Sequence, residues 1–589
     1  MKQLIISSFL SAASLIAACA SVQAQTATFS YFKYQGNDER FHKNIDANTQ
    51  FLNPILAGFR PDPSVCRVGN TYYLVNSSFA FFPGVPLYES ADLVHWKQQG
   101  YVLDRPSQLP LYETGVSGGI FAPDIKYNAK NKTFYMITTN VAAGNFFVKT
   151  KDPSKGWSEP VYLKQVDGID PSFFFDKDGS AYIVHNGPVE GGADYEGQRA
   201  IRIMKFDTKG DSIITRGTPG NRGWWQIVRG GTHVSKRPIW IEGPHLYRIG
   251  KYYYLMCAEG GTGDAHSEVI FRAPLRADLT KADSWEECPH NPILTQRDLY
   301  NYAENPYLPV DAVTSTGHAD LVQTPQGDWY AVFLGCRPYN GPYYNTGRDT
   351  YLLPVTWKDG WPTILPKGKA LPTVGVTPRT SRKEMSQTQN TQVPWTGNFS
   401  YTDRFDGQKL DMRWMFLRNP TTTFYQLTGK GLAINSMPVS ISQRKSPAAI
   451  FTRQQHTDFT AETELTYKPQ QANDLAGITL LQNEAYNFVY GITLLDGKPA
   501  LTLVRSDKTP ALIASCFLKD GVQGGNVQVK LRIEGRGRYY NFYYATNGGQ
   551  WQPLAMGVDA INLSTCKSGG FIGTCIGLYA TSANGMPVK

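Results

Sequence analysis

Four carboxylic acids and one histidine stand at the start of five similar stretches of this sequence. In each stretch a short apolar run follows, then a turn containing Gly, Asn or Asp, and then an aromatic-rich segment. The introducing residues are Asp62, Asp124, Asp170, Glu242 and His318. Bringing like charges together costs free energy, so their convergence would serve chemistry rather than folding. One ionised and one protonated carboxyl group form the pair that hydrolyses a glycosidic bond.

The sequences around three of the acids indicate how their roles could differ. Asp62 in RPDPS and Asp170 in GIDPS share an Asp-Pro-Ser sequence. An Asp beside Pro is by itself typical of a structural turn, but its repetition in two units favours a shared chemical role. Glu242 in WIEGPH has apolar neighbours, which raise the pKa of a carboxyl group and favour a proton donor. These three acids are therefore the candidate catalytic residues.

Asp124 and His318 take the corresponding places in the second and fifth units. We interpret Asp124 as a candidate substrate contact. His318 is a candidate for holding an axial water or, through water, a cation, although a single histidine is more commonly a structural residue of the core. Serine-nucleophile motifs, HExxH and phosphate-binding glycine loops are absent from the sequence, which leaves the acids as the chemical groups.

Aromatic residues near the acids are candidate sugar platforms. Sugar rings have apolar faces and polar edges, so their pockets combine aromatic side chains with hydrogen-bonding groups. Phe79 and Phe81 follow the first unit, and Phe121 precedes the second acid. Packing between sheets is the alternative explanation for these three phenylalanines. Arg337, in GCRP after the fifth unit, could bind ring hydroxyls.

The spacing of the five units predicts the elements that must position these residues. The units recur roughly every 45–75 residues, about the length of one four-stranded propeller blade. The strand starts of five radial blades meet at one axis. We therefore predict an all-β chain with a five-bladed β-propeller over residues 51–370. Residues 25–50 are polar and irregular, and we expect this N-terminal segment to wrap around the propeller.

A second domain is predicted after a linker. Residues 371–397 are rich in Thr, Ser, Gln and Pro, which is typical of a linker. Residues 398–589 contain alternating stretches such as FTAETELTY and NFVYGITLL, which predict an antiparallel β-sandwich. No comparable cluster of acids precedes these strands, so we interpret the sandwich as an accessory domain. We expect it to pack against the propeller and to lend a loop to the pocket rim.

The whole-chain composition excludes other function classes. The formal net charge is +9 over 589 residues, and Lys and Arg are scattered, so no nucleic-acid partner is expected. Of the eight cysteines, Cys19 lies in the leader, and the other seven are far apart and lack CxxC spacing. This pattern predicts mostly buried, free thiols and no metal–thiolate site.

The first 24 residues have the pattern of an export signal. Lys2 precedes the apolar stretch LIISSFLSAASLIAACA, and VQA forms a small-residue cleavage site that ends at Ala24. The alternative is the sequence IAAC, which resembles a bacterial lipoprotein box and would place a lipid on Cys19. Both alternatives predict an exported protein, periplasmic or outer-membrane-associated in a bacterium, with membrane contact only through that lipid.

Several motifs together resemble glycoside hydrolase family 43, in its β-xylosidase/α-L-arabinofuranosidase branch. They are NPILAGFRPDPSVCRVGNTYYLV, GIDPSFFFDKDG, IEGPHLYRIGKYYYLM and VTWKDGWP. The resemblance implies a five-bladed β-propeller followed by a concanavalin-like antiparallel β-sandwich. It also implies an inverting mechanism, whose two carboxyl groups lie roughly 6.5–9.5 Å apart. By motif, Asp62 corresponds to the general base, Glu242 to the general acid, and Asp170 to the acid that tunes and orients Glu242.

The same resemblance bears on cofactors and on substrate. Arg337 corresponds to a substrate-binding arginine, and His318 to a central histidine that in some members lies near a water-coordinated cation. No cofactor is required for this chemistry, and a calcium ion would be structural. Phe81 and Phe121 stand where xylosidases of this branch often carry Trp, and Asp124 stands where they commonly carry a histidine. Together these departures favour arabinofuranose over xylose.

The resulting hypothesis is an exported exo-glycosidase acting on oligosaccharides of plant hemicellulose. It would release a terminal α-L-arabinofuranose or β-D-xylose. One alternative is a retaining fructosidase, whose Asn-Asp-Pro-Asn type motif does not match RPDPS at Asp62. The other is a non-catalytic glycan-binding protein, which would have no reason to keep Asp62, Asp170 and Glu242.

Overall fold

The computed structural model describes residues 25–232, 237–302, 304–379 and 394–582. Their regular structure is almost entirely antiparallel β-sheet, with one α-helical turn at Thr565–Ser568, so the all-β prediction is confirmed. The seven cysteines of this part of the chain are all free, and five of them are buried. The predicted export signal with Cys19 and the middle of the predicted linker lie outside the described residues. No helix within those residues is long and apolar enough to cross a membrane.

Two strands precede the propeller, and five consecutive sheets of the described chain form its blades. The first two strands are β1 (Thr26–Gly36) and β2 (Gln50–Leu52). Blade 1 contains β3 (Ser64–Val68), β4 (Thr71–Val75), β6 (Gly84–Ser90) and β7 (Lys97–Leu103), with β5 (Phe81–Phe82) in a connection. Blade 2 contains β8 (Ile120–Asn128), β9 (Thr133–Asn140), β10 (Gly144–Thr150) and β11 (Val161–Tyr162).

The remaining blades follow in sequence order. Blade 3 contains β12 (Ile169–Phe175), β13 (Ala181–Gly187), β14 (Ala200–Asp207), β15 (Ser212–Ile213) and β16 (Trp225–Arg229). Blade 4 contains β17 (Glu242–Ile249), β18 (Tyr252–Glu259), β19 (Ser267–Pro274), β20 (Glu286–Glu287) and β21 (Leu294–Thr295). Blade 5 contains β22 (Thr314–Gln323), β23 (Trp329–Cys336) and β24 (Arg348–Pro354).

Three short strands follow the blades. They are β25 (Thr356–Lys358), β26 (Trp361–Thr363) and β27 (Val374–Val376). β25 and β26 form a hairpin, and β27 pairs with β2. The predicted linker therefore begins with a segment that is held in a sheet against the start of the propeller.

Hydrogen bonds connect the first strand of each blade to its neighbours around a common centre. They run from Ser64 Oγ to Asp124 (3.1 Å), from Phe173 N to Asp124 (2.9 Å), from Ser172 Oγ to the Pro244 carbonyl, from the Tyr247 hydroxyl to Asp320 (2.7 Å) and from Ser64 Oγ to Asp320 (2.8 Å). β3, β8, β12, β17 and β22 are all joined in this way. The inner strands thus surround one axis, as the five repeated units predict.

Each inner strand has a residue with positive φ where it reaches this centre. The residues are Asp62 (51°), Ala122 (32°), Asp170 (54°), Gly243 (53°) and His318 (53°). Proline follows the first four, and in blades 2 to 5 the pairing with the second strand shifts register nearby. A left-handed conformation is uncommon outside glycine and tends to mark functional positions. These five residues form an upper layer, and the residues two positions later form a second layer.

Two sheets form the β-sandwich. Besides β1, their strands are β28 (Ser400–Asp403), β30 (Tyr425–Leu427), β31 (Leu432–Asn435), β32 (Ala449–Arg453), β33 (Asp458–Tyr467), β34 (Leu475–Asn483), β35 (Tyr486–Leu495), β36 (Lys498–Asp507), β37 (Thr509–Phe517), β38 (Val522–Gln523), β39 (Asn526–Arg536), β40 (Tyr539–Ala545), β41 (Gln552–Asp559) and β42 (Cys575–Thr581). The short strand β29 (Phe416–Leu417) lies outside both sheets. One sheet has the order β30-β31-β1-β33-β39-β40-β41, and the other β32-β42-β34-β35-β36-β37. Every second residue of β33 is buried, because one face of its sheet covers the core. The sandwich prediction is confirmed.

β1 belongs to the sandwich, which corrects the expectation that residues 25–50 wrap around the propeller. It lies between β31 and β33, in the middle of the first sheet. The physical reason is its apolar face, since Ala27, Phe29, Phe32 and Tyr34 are all fully buried in the sandwich core. A strand with such a face is stable only where another sheet covers it.

The two domains share an apolar interface, as expected. Phe59 and Phe81 of the propeller pack in one cluster with Met415, Phe451 and Tyr579 of the sandwich. β5 of the propeller also pairs with β29 of the sandwich. The sandwich is therefore fixed against the propeller at the level of individual strands and core side chains.

Candidate active site

A pocket of about 310 Å³ lies at the centre of the propeller. Asp62, Asp170, Glu242 and His318 line it, and each is less than one-tenth exposed. The other lining residues are Phe79, Phe121, Ala122, Ile169, Trp240, Gly261, Thr262, Arg348 and Phe571. The structure thus brings the three acids chosen from the sequence into one cavity, together with His318.

Asp62 is held as an anion by its neighbours. Arg348 Nη1 lies 2.8 Å from its Oδ1, and Ser77 Oγ donates a hydrogen bond of 2.6 Å to its Oδ2. Burial raises the pKa of Asp62, but the charges of Arg348 and His318 and the Ser77 hydrogen bond outweigh burial, so the pKa lies below its ordinary value. Such a carboxylate can accept a proton from water.

The surroundings of Glu242 favour the protonated carboxyl group, in contrast to those of Asp62. Burial, together with the negative charge of Asp170, raises the pKa of Glu242 to about 8, although His318 partly opposes the rise. This carboxyl group therefore keeps its proton at neutral pH. Asp62 and Glu242 are two acids in one pocket whose surroundings move their pKa values apart, which is the pattern of a base and an acid.

Asp170 and His318 face each other beside Glu242. His318 Nε2 lies 3.5 Å from Asp170 Oδ2, and the Gly243 amide donates to the same oxygen at 3.2 Å. Burial opposes the charged imidazole, but the contact with Asp170 and the charge of Asp62 raise the pKa of His318 to about 10. A Cβ at Gly243 would lie 2.9 Å from the His318 ring, so only glycine at 243 leaves room for this arrangement.

Asp124 does not line the pocket, contrary to the expectation of a substrate contact. The upper-layer place in blade 2 belongs to Ala122, and Asp124 lies two residues later, in the second layer. Its carboxylate accepts hydrogen bonds from the Ser64 hydroxyl and the Phe173 amide. It therefore ties inner strands together beneath the pocket.

Asp124 and Asp320 share the positive charge of Lys126. The Lys126 ammonium lies 2.9 Å from Asp124 Oδ1 and 2.7 Å from Asp320 Oδ2. In the described part of the chain, Asp124, His245 and Asp320 are the three residues whose geometry could hold a metal ion. Because the ammonium already bonds to both carboxylates, these residues do not fit a calcium ion. The cation predicted near His318 stays a prediction. The buried Nδ1 of His318 has no hydrogen-bond partner among the described atoms.

Replacing Lys126 by Met is expected to lower the free energy of unfolding by about 3 kcal/mol. Removing one partner of a buried ion pair leaves an uncompensated charge, at a cost of about 3–5 kcal/mol, and the Lys126 side chain is 15% exposed, which favours the lower end. Urea unfolding measures the change. Lys130→Met, at an exposed position four residues later in the turn between β8 and β9, is the matched control. Equal stability of the two variants would contradict the role of Lys126 in balancing the buried charge of Asp124 and Asp320.

Arg337 also lies outside the pocket, contrary to the predicted sugar contact. It is fully buried and binds Asp349 at 2.8 Å, Asp38 at 2.8 Å and the Gln455 carbonyl. It therefore links the propeller to the sandwich, the domain that contains β1. The pocket arginine is Arg348, at the start of β24, which sequence reasoning missed.

The aromatic wall contains two of the three predicted phenylalanines. Phe79 and Phe121 line the pocket, whereas Phe81 is fully buried and packs edge-on against Phe451 of the sandwich. The third aromatic ring of this wall is Phe571, from the loop before β42, stacked 6.0 Å from Phe79. The sandwich therefore lends a loop to the pocket, as expected, although the sequence did not identify the residue.

Arg348 lies within this wall. Its guanidinium carbon is 5.8 Å from the ring centroids of both Phe79 and Phe571. The Phe571 amide donates to Ser117 Oγ at 2.9 Å, which fixes the loop on the propeller. One end of the pocket thus combines an apolar wall with a charged hydrogen-bond donor beside Asp62, as a sugar ring requires.

Comparison with known proteins agrees with this geometry. A family model described as glycosyl hydrolases family 43 matches residues 51–362, and one described as the β-xylosidase C-terminal concanavalin A-like domain matches residues 402–588. A protein named xylosidase/arabinosidase, from Butyrivibrio fibrisolvens, is 37% identical over 538 residues, covering 90% of this chain and 95% of that protein.

Two further comparisons cover nearly the whole chain. A protein named non-reducing end α-L-arabinofuranosidase, from Bacteroides ovatus, is 34% identical over 547 residues, covering 92% of each chain. The crystal structure of a GH43_12 protein from a capybara gut metagenome superimposes with a TM-score of 0.84 at 39% identity, covering 95% of this chain and 100% of that one. The chain therefore belongs to family 43 of the glycosyl hydrolases, and it is a glycosidase.

Proposed function

We propose that the protein is an exo-acting, inverting glycosidase that releases a terminal pentose from oligosaccharides of plant hemicellulose. The pentose is α-L-arabinofuranose or β-D-xylose. The observation that carries this proposal is the pairing, in one pocket, of an ionised Asp62 with a protonated Glu242. The names of the similar proteins from Butyrivibrio fibrisolvens and Bacteroides ovatus support the choice of sugars. The wall contributed by Phe571 of the sandwich supports the exo mode.

The catalytic step uses the two acids in complementary roles. Glu242 gives its proton to the glycosidic oxygen as the bond from that oxygen to the anomeric carbon breaks. A water attacks the anomeric carbon from the opposite face and gives a proton to Asp62. The products are a pentose of inverted configuration and the shortened oligosaccharide. One proton then moves through solvent from Asp62 to Glu242 and restores the site.

Asp170 acts through Glu242 rather than on the sugar. Its negative charge makes ionisation of Glu242 less favourable, and its contacts with the Gly243 amide and His318 fix the backbone beside that acid. The positive His318 balances the charge of Asp170. We assign Asp170 the role of a positioning residue that keeps Glu242 protonated at neutral pH.

The preferred sugar is proposed to be arabinofuranose. The sequence-based preference rested on Phe81 and Phe121 in place of Trp and on Asp124 in place of a histidine, and of these three residues only Phe121 lines the pocket. A phenyl ring is smaller than an indole, so Phe121 leaves more room beside Phe79 and Phe571 for a furanose ring. A higher kcat/KM for the β-D-xyloside than for the α-L-arabinofuranoside would overturn this preference.

A panel of nitrophenyl pentosides tests the proposed function, with proton NMR of the first-formed product. We expect hydrolysis of the α-L-arabinofuranoside or the β-D-xyloside and initial release of the inverted anomer. Retention of configuration would favour the fructosidase-type mechanism instead. Binding of oligosaccharides without hydrolysis would favour a glycan-binding protein.

The pH dependence of kcat/KM is expected to be bell-shaped with an alkaline limb near pH 8. Glu242 must carry its proton, so activity falls as the pH rises through its pKa of about 8. Asp62 must be ionised, so activity falls only when the pH drops below its lowered pKa. The measurement is kcat/KM against pH for a substrate with a poor leaving group. If the same alkaline limb persisted in Glu242→Gln, another group would be responsible for it.

We propose that the protein is exported and works on oligosaccharides outside the cytoplasm. The support is the sequence between Lys2 and Ala24, with its basic start, apolar stretch and small-residue end. Fractionation of cells that express the protein and its Cys19→Ser variant separates the two modes. Membrane association that depends on Cys19 indicates lipidation, and release in both cases indicates simple cleavage after Ala24.

A further inference from the structure

The pocket has two chemically different ends. Phe79, Phe121 and Phe571 surround the end at which Arg348 meets Asp62. The fourth aromatic residue of the described lining, Trp240, lies two positions before Glu242 in the sequence. Glu242 protonates the oxygen of the departing group, so side chains that adjoin Glu242 border the leaving group rather than the released pentose.

Trp240 is held in an unusual and exposed position. Its φ is 49°, in the left-handed region that a bulky residue rarely adopts, and the residue is 39% exposed. The Trp240 amide donates to the Gly197 carbonyl at 2.8 Å, and the Gly260 amide donates to the Ile239 carbonyl at 2.9 Å. Blades 3 and 4 therefore both fix this segment, and such an imposed conformation tends to mark a functional site.

One face of the Trp240 ring is already supported by protein. The Arg199 guanidinium carbon lies 5.1 Å from the ring centroid, within the range of a cation–π contact. Arg199 is itself fixed, because its Nε and Nη2 donate to Asn186 Oδ1 at 3.1 and 2.9 Å. Trp240 and Thr262 both line the pocket. Thr262 follows Gly261, where an added Cβ would lie 4.0 Å from Trp240 Cδ1, and the Thr262 hydroxyl can exchange hydrogen bonds with a hydroxyl group.

We propose that Trp240, supported by Arg199 and adjoined by Thr262, forms a binding subsite for the sugar that leaves. The inference rests on the proposed function, since it concerns the partner of the released pentose. An indole offers an apolar surface to the C–H face of a pyranose, and a hydroxyl group beside it suits the polar edge. The ligand is thus a neutral pyranose of the hemicellulose chain, such as xylopyranose. The enzyme selects a pentose attached to another sugar over a pentose attached to a simple alkyl group.

The test compares substrates with and without a leaving sugar. The pairs are methyl β-D-xylopyranoside against β-1,4-xylobiose, and methyl α-L-arabinofuranoside against an α-L-arabinofuranosyl xylobiose. In Trp240→Ala, kcat/KM for the sugar-bearing member is expected to fall about tenfold, the size of one good stacking contact. For the methyl glycoside the change should stay below about twofold, because no ring rests on the indole. Trp240→Phe should recover most of the loss.

Phe121→Ala is the matched control at the other end of the pocket. It should lower kcat/KM for both members of a pair by the same factor, because both carry the same pentose. Thermal unfolding of each variant checks that the fold is intact.

Equal losses on both members in folded Trp240→Ala, or no loss on either, would overturn the subsite. Equal kcat/KM of the unaltered enzyme for both members would also overturn it, while leaving the proposed function intact. If the unaltered enzyme hydrolyses neither pentose from any of these compounds, the proposed function fails and the subsite fails with it.

Discussion

Replacing Asp62 by Asn is expected to reduce kcat/KM by about 10³–10⁴-fold on every pentoside. An amide cannot take the proton of the attacking water, and a positioned general base is worth about 10²–10⁴-fold. The loss should not depend on the leaving group, because Asp62 acts on water rather than on the departing oxygen. Steady-state kinetics on an activated nitrophenyl pentoside and on an oligosaccharide measures both losses.

Glu242→Gln provides the contrast within the same pocket. Nitrophenolate leaves without much protonation, so the loss on the nitrophenyl pentoside should be much smaller than on the oligosaccharide. Circular dichroism checks the fold of both variants. A folded Asp62→Asn enzyme that keeps more than about one-tenth of its activity would remove Asp62 from the role of base. Equal losses on the two substrates in Glu242→Gln would remove Glu242 from the role of acid.

Separating the domains is expected to abolish activity. A fragment of residues 25–386 should aggregate or retain less than about one-hundredth of kcat/KM. It exposes Phe59 and Phe81, which the sandwich covers, and it lacks Phe571. It also lacks Trp395, which packs in the propeller core against Tyr88. Yield after gel filtration and activity on a nitrophenyl pentoside are the measurements.

A full-length Phe571→Ala variant separates the two effects of that deletion. It removes the ring from the pocket and leaves the apolar interface in place, so it should stay folded and lose activity mainly through KM. A fragment of residues 25–386 that is monodisperse and fully active would show that the sandwich contributes neither stability nor pocket wall.

The catalytic acids could be predicted because their signal is local and repeated. Asp62 and Asp170 stand in the same Asp-Pro-Ser sequence at the start of two inner strands, and Glu242 stands beside Gly-Pro at a third. Matching the units by their first acid gave the wrong place for Asp124. In blade 2 the residue before the proline is Ala122, and its positive φ takes the upper-layer place. Aligning the units on proline rather than on the acid would have found this offset.

Other parts of the site depend on contacts that the local sequence does not encode. Arg337 and Arg348 flank one hairpin, and which of them meets the pocket depends on the register in which Cys336 pairs with Arg348. Phe571 comes from a loop of the other domain, 454 residues along the chain from Ser117, to which its amide donates a hydrogen bond. Tertiary packing decides which residues meet across such distances. The sequence therefore predicted that a loop of the sandwich reaches the pocket, but it did not identify Phe571 as the residue.

The place of β1 determines the order in which the molecule can be completed during synthesis. β1 is the first described strand to leave the ribosome, yet Thr463 of β33, which donates to the Tyr31 carbonyl, is 432 residues away. The apolar face of β1 must therefore wait without its partner while all five blades are made. The blades can form in sequence from neighbouring strands, but the sandwich can close only when the last strands return to the first. Folding thus ends by joining the two ends of the chain, and until then Phe29 and Phe32 are open to wrong partners or to chaperones.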